Sequence, residues 1–236
     1  MPFSSQNADS EAALHAAARS TAHSAMRERL AQLCRHGEWN RGACALGSGY
    51  AALDAALPGG GWPIGAVTEL LSDTAGIGEL GLLLPALARL ARGGRYIAWI
   101  APPYLPYAPA LVQRHLPLER VLVIEAADAR DSQWAAEQAL RCPAVGAVLG
   151  WCTHIVDRNV RRLQLAAETG SSLGILHRPA RAAREASPAA LRLWLQPAAD
   201  GLLLQIHKAR GGRAGLTLRL GDTDAVVVHS SARAGQ

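Results

Sequence analysis

The sequence predicts an α/β protein with a mainly parallel β-sheet flanked by helices, antiparallel strands near the C-terminus and a helix near the N-terminus. The middle of the chain alternates short apolar runs with amphipathic segments of about ten or more residues, as strands and crossover helices do in a parallel sheet. In the last third, strand-like runs are separated only by turns, which are too short for parallel crossovers and indicate antiparallel pairing. A chain of 236 residues, 50% of them hydrophobic, is long enough to bury a sizeable core.

The first 44 residues are predicted to form a helical arm. Apolar residues recur at helical spacing from Ser10 to about Arg35, with Ser10 as a plausible N-cap and Gly37 as the stop. The apolar stripe is narrow. Two interpretations stay open: the helix binds a partner or a second copy of the chain, or it packs on its own domain.

Residues 45–221 are predicted to form the core, and residues 222–236 a C-terminal tail. The core opens with a short helix near Ala51–Leu57 and a glycine/proline turn. Strand-like runs follow at Ala66–Leu71, Arg95–Ala101, Arg120–Glu125, Val145–Trp151, Ser171–Leu176, Leu191–Gln196, Leu202–Lys208 and Leu216–Leu220. Helical patterns separate the first five of these runs, at Ile77–Arg92, Ala108–His115, Asp131–Arg141 and Asp157–Thr169.

Composition narrows the classes of function. No apolar run approaches the roughly 18 residues of a membrane span, and no basic segment leads into an apolar one at the N-terminus, so we expect a cytoplasmic protein. The net charge of +5 is compatible with nucleic acid without requiring it. The cysteines form no C-x-x-C pair and the histidines no H-x-x-x-H pair, which disfavours a metal site, and buried free thiols are expected.

A glycine-bearing turn between the first strand and its helix has the layout of a nucleotide-binding loop without its chemistry. Such a loop reads G-x-x-x-x-G-K-[ST], with backbone amides and a lysine for the phosphates and a hydroxyl for magnesium. Aligning Gly78 with the last glycine places Asp73 at the first glycine, Glu79 at the lysine and Leu80 at the hydroxyl, with Gly76 between them. Carboxylates at these places repel a triphosphate. We therefore expect neither a bound ATP–Mg cofactor nor catalysis.

The order of these parts resembles the RecA-type recombinase core. The segment LGSGYAALDAALPGGGWPIGAVTELL, the turn after it and the four further βα units carry the resemblance over roughly residues 45–220. Within that group, GIGEL and DARDSQWAAEQALRCPAVGAVLGW look like the ImuA family, a RecA-like component of a bacterial damage-inducible mutagenesis cassette. SulA-type cell-division inhibitors are shorter and share less of the pattern, so they rank below ImuA.

The resemblance to RecA implies that further catalytic positions are replaced. The glutamate that activates water is missing after the second strand, where Ala101 stands, and the Walker B aspartate position is Gly150. The glutamine that senses the γ-phosphate corresponds to His177. RecA also extends a K-x-K pair across its subunit interface, and Lys208 with Arg210 preserves that charge pattern. Lys208 is the only lysine in the chain.

The same resemblance makes the segment His177–Ala190 the counterpart of a DNA-binding loop. It carries Arg178, Arg181 and Arg184, which could contact phosphates. It has no interleaved aromatic residue for base stacking. A solvated loop without a ligand is the alternative interpretation.

The ImuA resemblance implies a non-hydrolysing adaptor in SOS-induced translesion DNA synthesis, associated with the nucleoid when DNA is damaged. Its implied partners are ImuB and an error-prone C-family polymerase subunit, with RecA, single-stranded DNA and self-association as further candidates. Two alternatives remain. One is a DNA-dependent ATPase that uses Lys208 and Arg210 from a neighbouring subunit, and the other is a SulA-like cell-division inhibitor that blocks a filament-forming partner.

Overall fold

The structure is a computed structural model that describes the backbone of residues 5–35, 44–221 and 225–230, and the side chains of residues 17–33 and 44–221. The chain divides into two compact units, Met1–Gly37 and Glu38–Gln236.

The first unit contains one long helix, α1 (Ser5–Arg35). The helix that the sequence predicts is therefore confirmed, but it begins earlier than expected. Ser10 lies inside the helix and not at its N-cap, so that part of the prediction is wrong. The stop at Gly37 lies outside the described residues.

The second unit is a mixed α/β fold built on a large, mostly parallel sheet flanked by helices, as the sequence predicts. The nine strands of this large sheet lie in the order β11-β10-β9-β8-β3-β7-β6-β4-β5. Their bounds are β3 (Ala66–Leu71), β4 (Tyr96–Ile100), β5 (Val121–Ile124), β6 (Val145–Trp151), β7 (Leu173–Arg178), β8 (Leu191–Ala198), β9 (Gly201–Ala209), β10 (Leu216–Leu220) and β11 (Ala225–Ser230). The six strands from β8 to β5 pair in parallel, and the pairs β8–β9, β9–β10 and β10–β11 are antiparallel.

The central strand β3 is buried along its whole length, because strands pair with it on both sides and helices cover the sheet. The longer helices are α3 (Glu79–Arg92), α5 (Ala129–Arg141) and α6 (Asp157–Gly170), and α4 (Ala108–Gln113) is a short one. Leucines of α3 and apolar residues of the sheet share one buried cluster, which includes Leu83, Leu87 and Trp99. Parallel pairing brings the carboxyl ends of β3, β6 and β7 to one edge of the sheet, where α/β proteins bind ligands.

The segment before β3 contacts α3. It contains α2 (Ala51–Ala56) and a two-stranded ribbon of β1 (Ala45–Leu46) and β2 (Trp62–Pro63). Pro85 lies inside α3 and has no N–H for the carbonyl of Gly81, one turn earlier. The Tyr50 hydroxyl donates to that carbonyl over 3.3 Å, so a contact from outside the helix supplies a hydrogen bond that proline cannot.

Two expectations about the core need correction. Strand β11 pairs with β10, so the sheet extends past residue 221 into the segment expected to be a tail. Cys44 and Cys152 are free, but Cys142 is in a disulfide, so the expectation of free thiols is wrong at that position. Within the described ranges, no helix is both long and apolar enough to cross a membrane.

Candidate functional site

In the glycine-bearing turn after β3, a nearby carboxylate binds one of the backbone amides. Gly76 and Gly78 both adopt left-handed backbone angles, with φ of 77° and 107°, and Gly78 caps α3. The Glu79 carboxylate accepts a hydrogen bond from the Gly76 amide over 2.8 Å. In a phosphate-binding loop, such amides point at the ligand. Here the carboxylate of the first residue of α3 occupies one amide of the turn.

Asp73, at the first glycine position of that loop, makes a contact between two loops. Its carboxylate accepts from the backbone N–H of Ala180, over 3.0 Å, in the segment after β7. The carboxylate therefore connects the turn after β3 to the turn after β7 across the carboxyl edge of the sheet. Leu80, at the hydroxyl position, packs against the buried core and offers no ligand for magnesium.

Aromatic rings line up across the same edge. Trp99 on β4 contacts Trp151 on β6, with ring centroids 6.2 Å apart, and Trp151 stacks on His177 of β7 at 4.8 Å with the planes 5° apart. A cavity of about 290 Å³ opens beside this stack. It is lined in part by residues that follow β3, β4, β6 and β7, namely Asp73, Pro103, Cys152 and Pro179. Burial raises the pKa of the Cys152 thiol to about 11, so this thiol is neutral at neutral pH.

His177 should make stability depend on pH. Burial lowers its pKa to about 4, opposed in part by the Glu79 carboxylate. An unfolded histidine has a pKa of about 6.5, so between these values the unfolded state binds more protons than the folded state. The free energy of unfolding contributed by His177 is therefore fully present above pH ~6.5 and is lost as pH falls towards 4, by at most about 1.4 kcal/mol per pH unit.

The measurement is denaturant unfolding of the wild type and of His177→Gln at several pH values between 7 and 4. The free energy of unfolding should fall more steeply with decreasing pH in the wild type than in His177→Gln. His154→Gln, a change at an exposed position, should behave as the wild type does. Parallel curves for wild type and His177→Gln would show that His177 titrates normally.

A buried ion cluster lies next to the cavity, and its centre is Glu69 on β3. The Glu69 carboxylate is inaccessible to solvent and contacts Arg178 over 2.8 Å and Arg192 over 2.7 Å. It also accepts from the Ser187 hydroxyl over 2.7 Å, and Arg178 contacts the half-exposed Glu185 over 2.6 Å. Buried charges need such compensation, because removing an ion from water costs several kcal/mol.

The cluster shapes the loop after β7, which was expected to contact DNA. Arg178 is buried and paired with two carboxylates, which leaves no free guanidinium at this position for a phosphate. Arg192 donates to the carbonyls of Ala182 and Glu185 and so fixes the position of the loop. Of the three predicted arginines, only Arg181 and Arg184 are exposed. Arg192 and the burial of Glu69 escaped the sequence analysis, because both residues lie in strands whose pattern is otherwise apolar.

The predicted basic pair, Lys208 and Arg210, lies on the far side of this loop. The Lys208 ammonium donates to the carbonyl of Ser187 over 2.6 Å, and Arg210 donates to that of Pro188 over 3.3 Å. Burial lowers the pKa of Lys208, and the nearby Arg210 and Arg192 lower it further. Both side chains therefore contact carbonyls of their own chain.

Among the residues whose side chains are described, the most exposed large apolar ones lie elsewhere, in the loop between β4 and α4 that we call the tyrosine loop (residues 101–107). Tyr104, Leu105 and Tyr107 are 78%, 81% and 73% exposed. The sequence analysis assigned no role to residues 101–107. Two tyrosines and a leucine between prolines, APPYLPY, were the signal it overlooked.

Comparisons with known proteins identify one family. The family model described as cell division inhibitor SulA matches residues 65–174, from the start of β3 to the start of β7. A SulA of Edwardsiella piscicida is 36% identical over 101 residues, which cover 42% of this chain and 60% of that protein. A SulA of Photorhabdus laumondii is 30% identical over 111 residues, covering 47% and 63%. The chain thus spans less than two thirds of the length of these two relatives.

The ImuA assignment is wrong, because both the family model and these relatives are cell division inhibitors. The translesion-synthesis function and the nucleoid association were inferred with that assignment and are not supported. The same holds for the expected partners: ImuB, the polymerase subunit, RecA and single-stranded DNA. A further relative, SulA of Serratia proteamaculans, is 30% identical over 117 residues, which cover 50% of this chain and 70% of that protein. On this similarity, the chain belongs to the SulA cell division inhibitor family.

Proposed function

We propose that this chain inhibits cell division by binding a protein of the division machinery, with the filament-forming FtsZ as the first candidate. This is the alternative that the sequence analysis ranked below ImuA. The observation that carries the proposal is the tyrosine loop, which lies inside the segment matched by the SulA family model and exposes three large apolar side chains.

The tyrosine loop has the physical properties of a binding element. Pro102, Pro103 and Pro106 restrict its backbone, so less conformational entropy is lost when it is bound. Its first residue, Ala101, has a left-handed φ of 46° and donates its N–H to Ile124 of the neighbouring strand over 2.8 Å, which fixes where the loop leaves the sheet. Tyrosine is enriched at protein interfaces because its ring buries a large area while its hydroxyl still finds a partner.

A RecA-like architecture for the core is the finer part of this proposal. It is supported by the position of the glycine-bearing turn, which joins the central strand β3 to α3 as a nucleotide-binding loop does, and by the antiparallel strands that follow β8. In this interpretation the fold keeps the shape of a filament-forming ATPase and uses it for binding.

The direct test is expression of the chain in a rod-shaped bacterium that lacks its own SulA. Cells should elongate without septa, and the purified chain should reduce both the sedimentable polymer and the GTP turnover of purified FtsZ. Normal division at a verified level of expression, together with unchanged FtsZ polymer, would remove the proposal. Inhibited division with unchanged FtsZ would leave the inhibition intact and assign it to another division protein.

We further propose that the protein does not turn over ATP. The turn after β3 offers Glu79 where an ATPase has a lysine, and this carboxylate occupies the Gly76 amide. A charge supplied by a neighbour accelerates phosphoryl transfer only when the phosphates and the metal are already held. Phosphate release from ATP should therefore stay at background, with or without DNA, while an intact P-loop ATPase in the same buffer validates the assay. Turnover that Lys208→Ala abolishes would instead support catalysis in trans.

A further inference from the structure

We propose that a second cavity, at the opposite edge of the sheet from the glycine-bearing turn, binds a small ligand that carries two or more phosphate groups. This cavity has a volume of about 580 Å³ and lies between the last turns of α3 and the turn that follows α4. Arg89, Arg92, Arg114 and His115 line it. The proposal is independent of the division-inhibitor function.

The charge of this cavity has one sign. Three arginines and a histidine, all exposed to solvent, line it, and none of the residues that line it carries a carboxylate. Cations at the end of a helix are favoured by its dipole, which accounts for Arg89 and Arg92 in α3. Arg114 is the C-cap of α4 and His115 follows it, so the ends of two different helices bring the four side chains together.

Two of the guanidiniums are already oriented. Arg89 donates through one terminal nitrogen to the carbonyl of Gly47, and Arg92 donates through Nε to the carbonyl of Ala88 over 3.3 Å. Each bond leaves other N–H groups of the same guanidinium free of that partner. Because the side chains are held before a ligand arrives, binding costs them less rotamer entropy.

The wall of the cavity is also rigid. Gly49, between β1 and α2, has a left-handed φ of 94°. A side chain there would lie 2.6 Å from the ring of Pro85, so this segment and α3 are in direct contact. His115 has a left-handed φ of 61°. A non-glycine residue in this conformation is strained, and such strain concentrates at functional sites.

Phosphate is the group that this arrangement recognises best. Planar guanidiniums form paired hydrogen bonds with phosphate oxygens, and three of them match the charge of a diphosphate better than that of one carboxylate. The volume lies in the range of small-molecule sites, about 300–1,000 Å³, and leaves room for more than the phosphates. A diphosphate and a nucleoside diphosphate share this chemistry.

The experiment measures binding of pyrophosphate, ADP and AMP to the full chain by isothermal titration calorimetry. Pyrophosphate and ADP should bind more tightly than AMP. If ADP exceeds pyrophosphate, the ligand is a nucleotide; if the two are equal, the phosphate chain alone is recognised. The variant Arg92→Gln/Arg114→Gln should weaken binding about tenfold or more, since it removes two charged hydrogen-bond donors from the phosphate.

The matched control is Arg158→Gln/Arg161→Gln, which removes the same charge from exposed positions on α6. It should change the affinity less than about threefold. In the wild type, pyrophosphate should shift the NMR signals of the His115 ring and leave those of His154 unchanged, a readout that does not depend on any variant folding.

Three results would overturn the proposal. The first is no binding of pyrophosphate or ADP at millimolar concentration. The second is equal weakening by both double variants, which would indicate attraction by net charge only. The third is an acidic peptide that binds at this site more tightly than pyrophosphate, which would make the cavity a protein contact.

Discussion

Replacing Glu69 with alanine should lower the free energy of unfolding by about 3–5 kcal/mol. Glu69 is fully buried and supplies the carboxylate that Arg178 and Arg192 share. Without it, the buried Arg192 has no other ion pair among the described residues, and Arg178 keeps only the half-exposed Glu185. The loop after β7 should loosen at the same time, because Ser187 loses its acceptor. Urea unfolding and hydrogen exchange of residues 179–190 measure the two effects.

The control is Glu185→Gln, which removes the half-exposed member of the same cluster. It should cost no more than about 1 kcal/mol, because solvent screens such a charge. The triple variant Glu69→Leu/Arg178→Met/Arg192→Met should recover part of the stability lost in Glu69→Ala, because it leaves no unpaired buried charge. Equal costs for Glu69→Ala and Glu185→Gln would mean that burial of the cluster does not determine its contribution.

Replacing Tyr104, Leu105 and Tyr107 together with serine should abolish the inhibition of cell division while the protein remains folded. A buried aromatic residue at the centre of an interface contributes about 2 kcal/mol or more, so the loss of three apolar contacts should weaken binding to the division protein by about 100-fold or more. Stability should change by less than about 0.5 kcal/mol for each position, because these side chains are solvent-exposed.

The matched control is Val156→Ser/Leu165→Ser, which removes two exposed apolar side chains, 59% and 55% accessible, from the same family-matched region. This variant should inhibit division as the wild type does. Cell length after induction and co-sedimentation with FtsZ provide the readouts. If both variants inhibit division normally, the division protein binds another surface; if both lose inhibition, exposed apolar area in general is responsible.

Much of the fold could be predicted from the sequence because its signals are local. Apolar runs such as Val145–Trp151 and the helical spacing in Asp157–Thr169 depend only on neighbouring residues, and the structure places β6 and α6 there. The absence of a lysine from the turn at Asp73–Glu79 could also be read directly. Local signals could not distinguish the SulA family from the ImuA family. The motifs that suggested ImuA lie within the region that the SulA family model matches.

The alternation of strands and helices and the carboxylates of the degenerate loop can be read from the chain alone, because the spacing of neighbouring residues suffices for both. That Arg178 is a buried ion-pair partner and not a DNA contact follows from the three-dimensional fold. Glu69 lies 109 residues from Arg178 and 123 from Arg192, and the three meet only because β7 and β8 pair with the two sides of β3. The sequence shows that arginine is charged, but which carboxylate it pairs with depends on which strands lie side by side in the sheet.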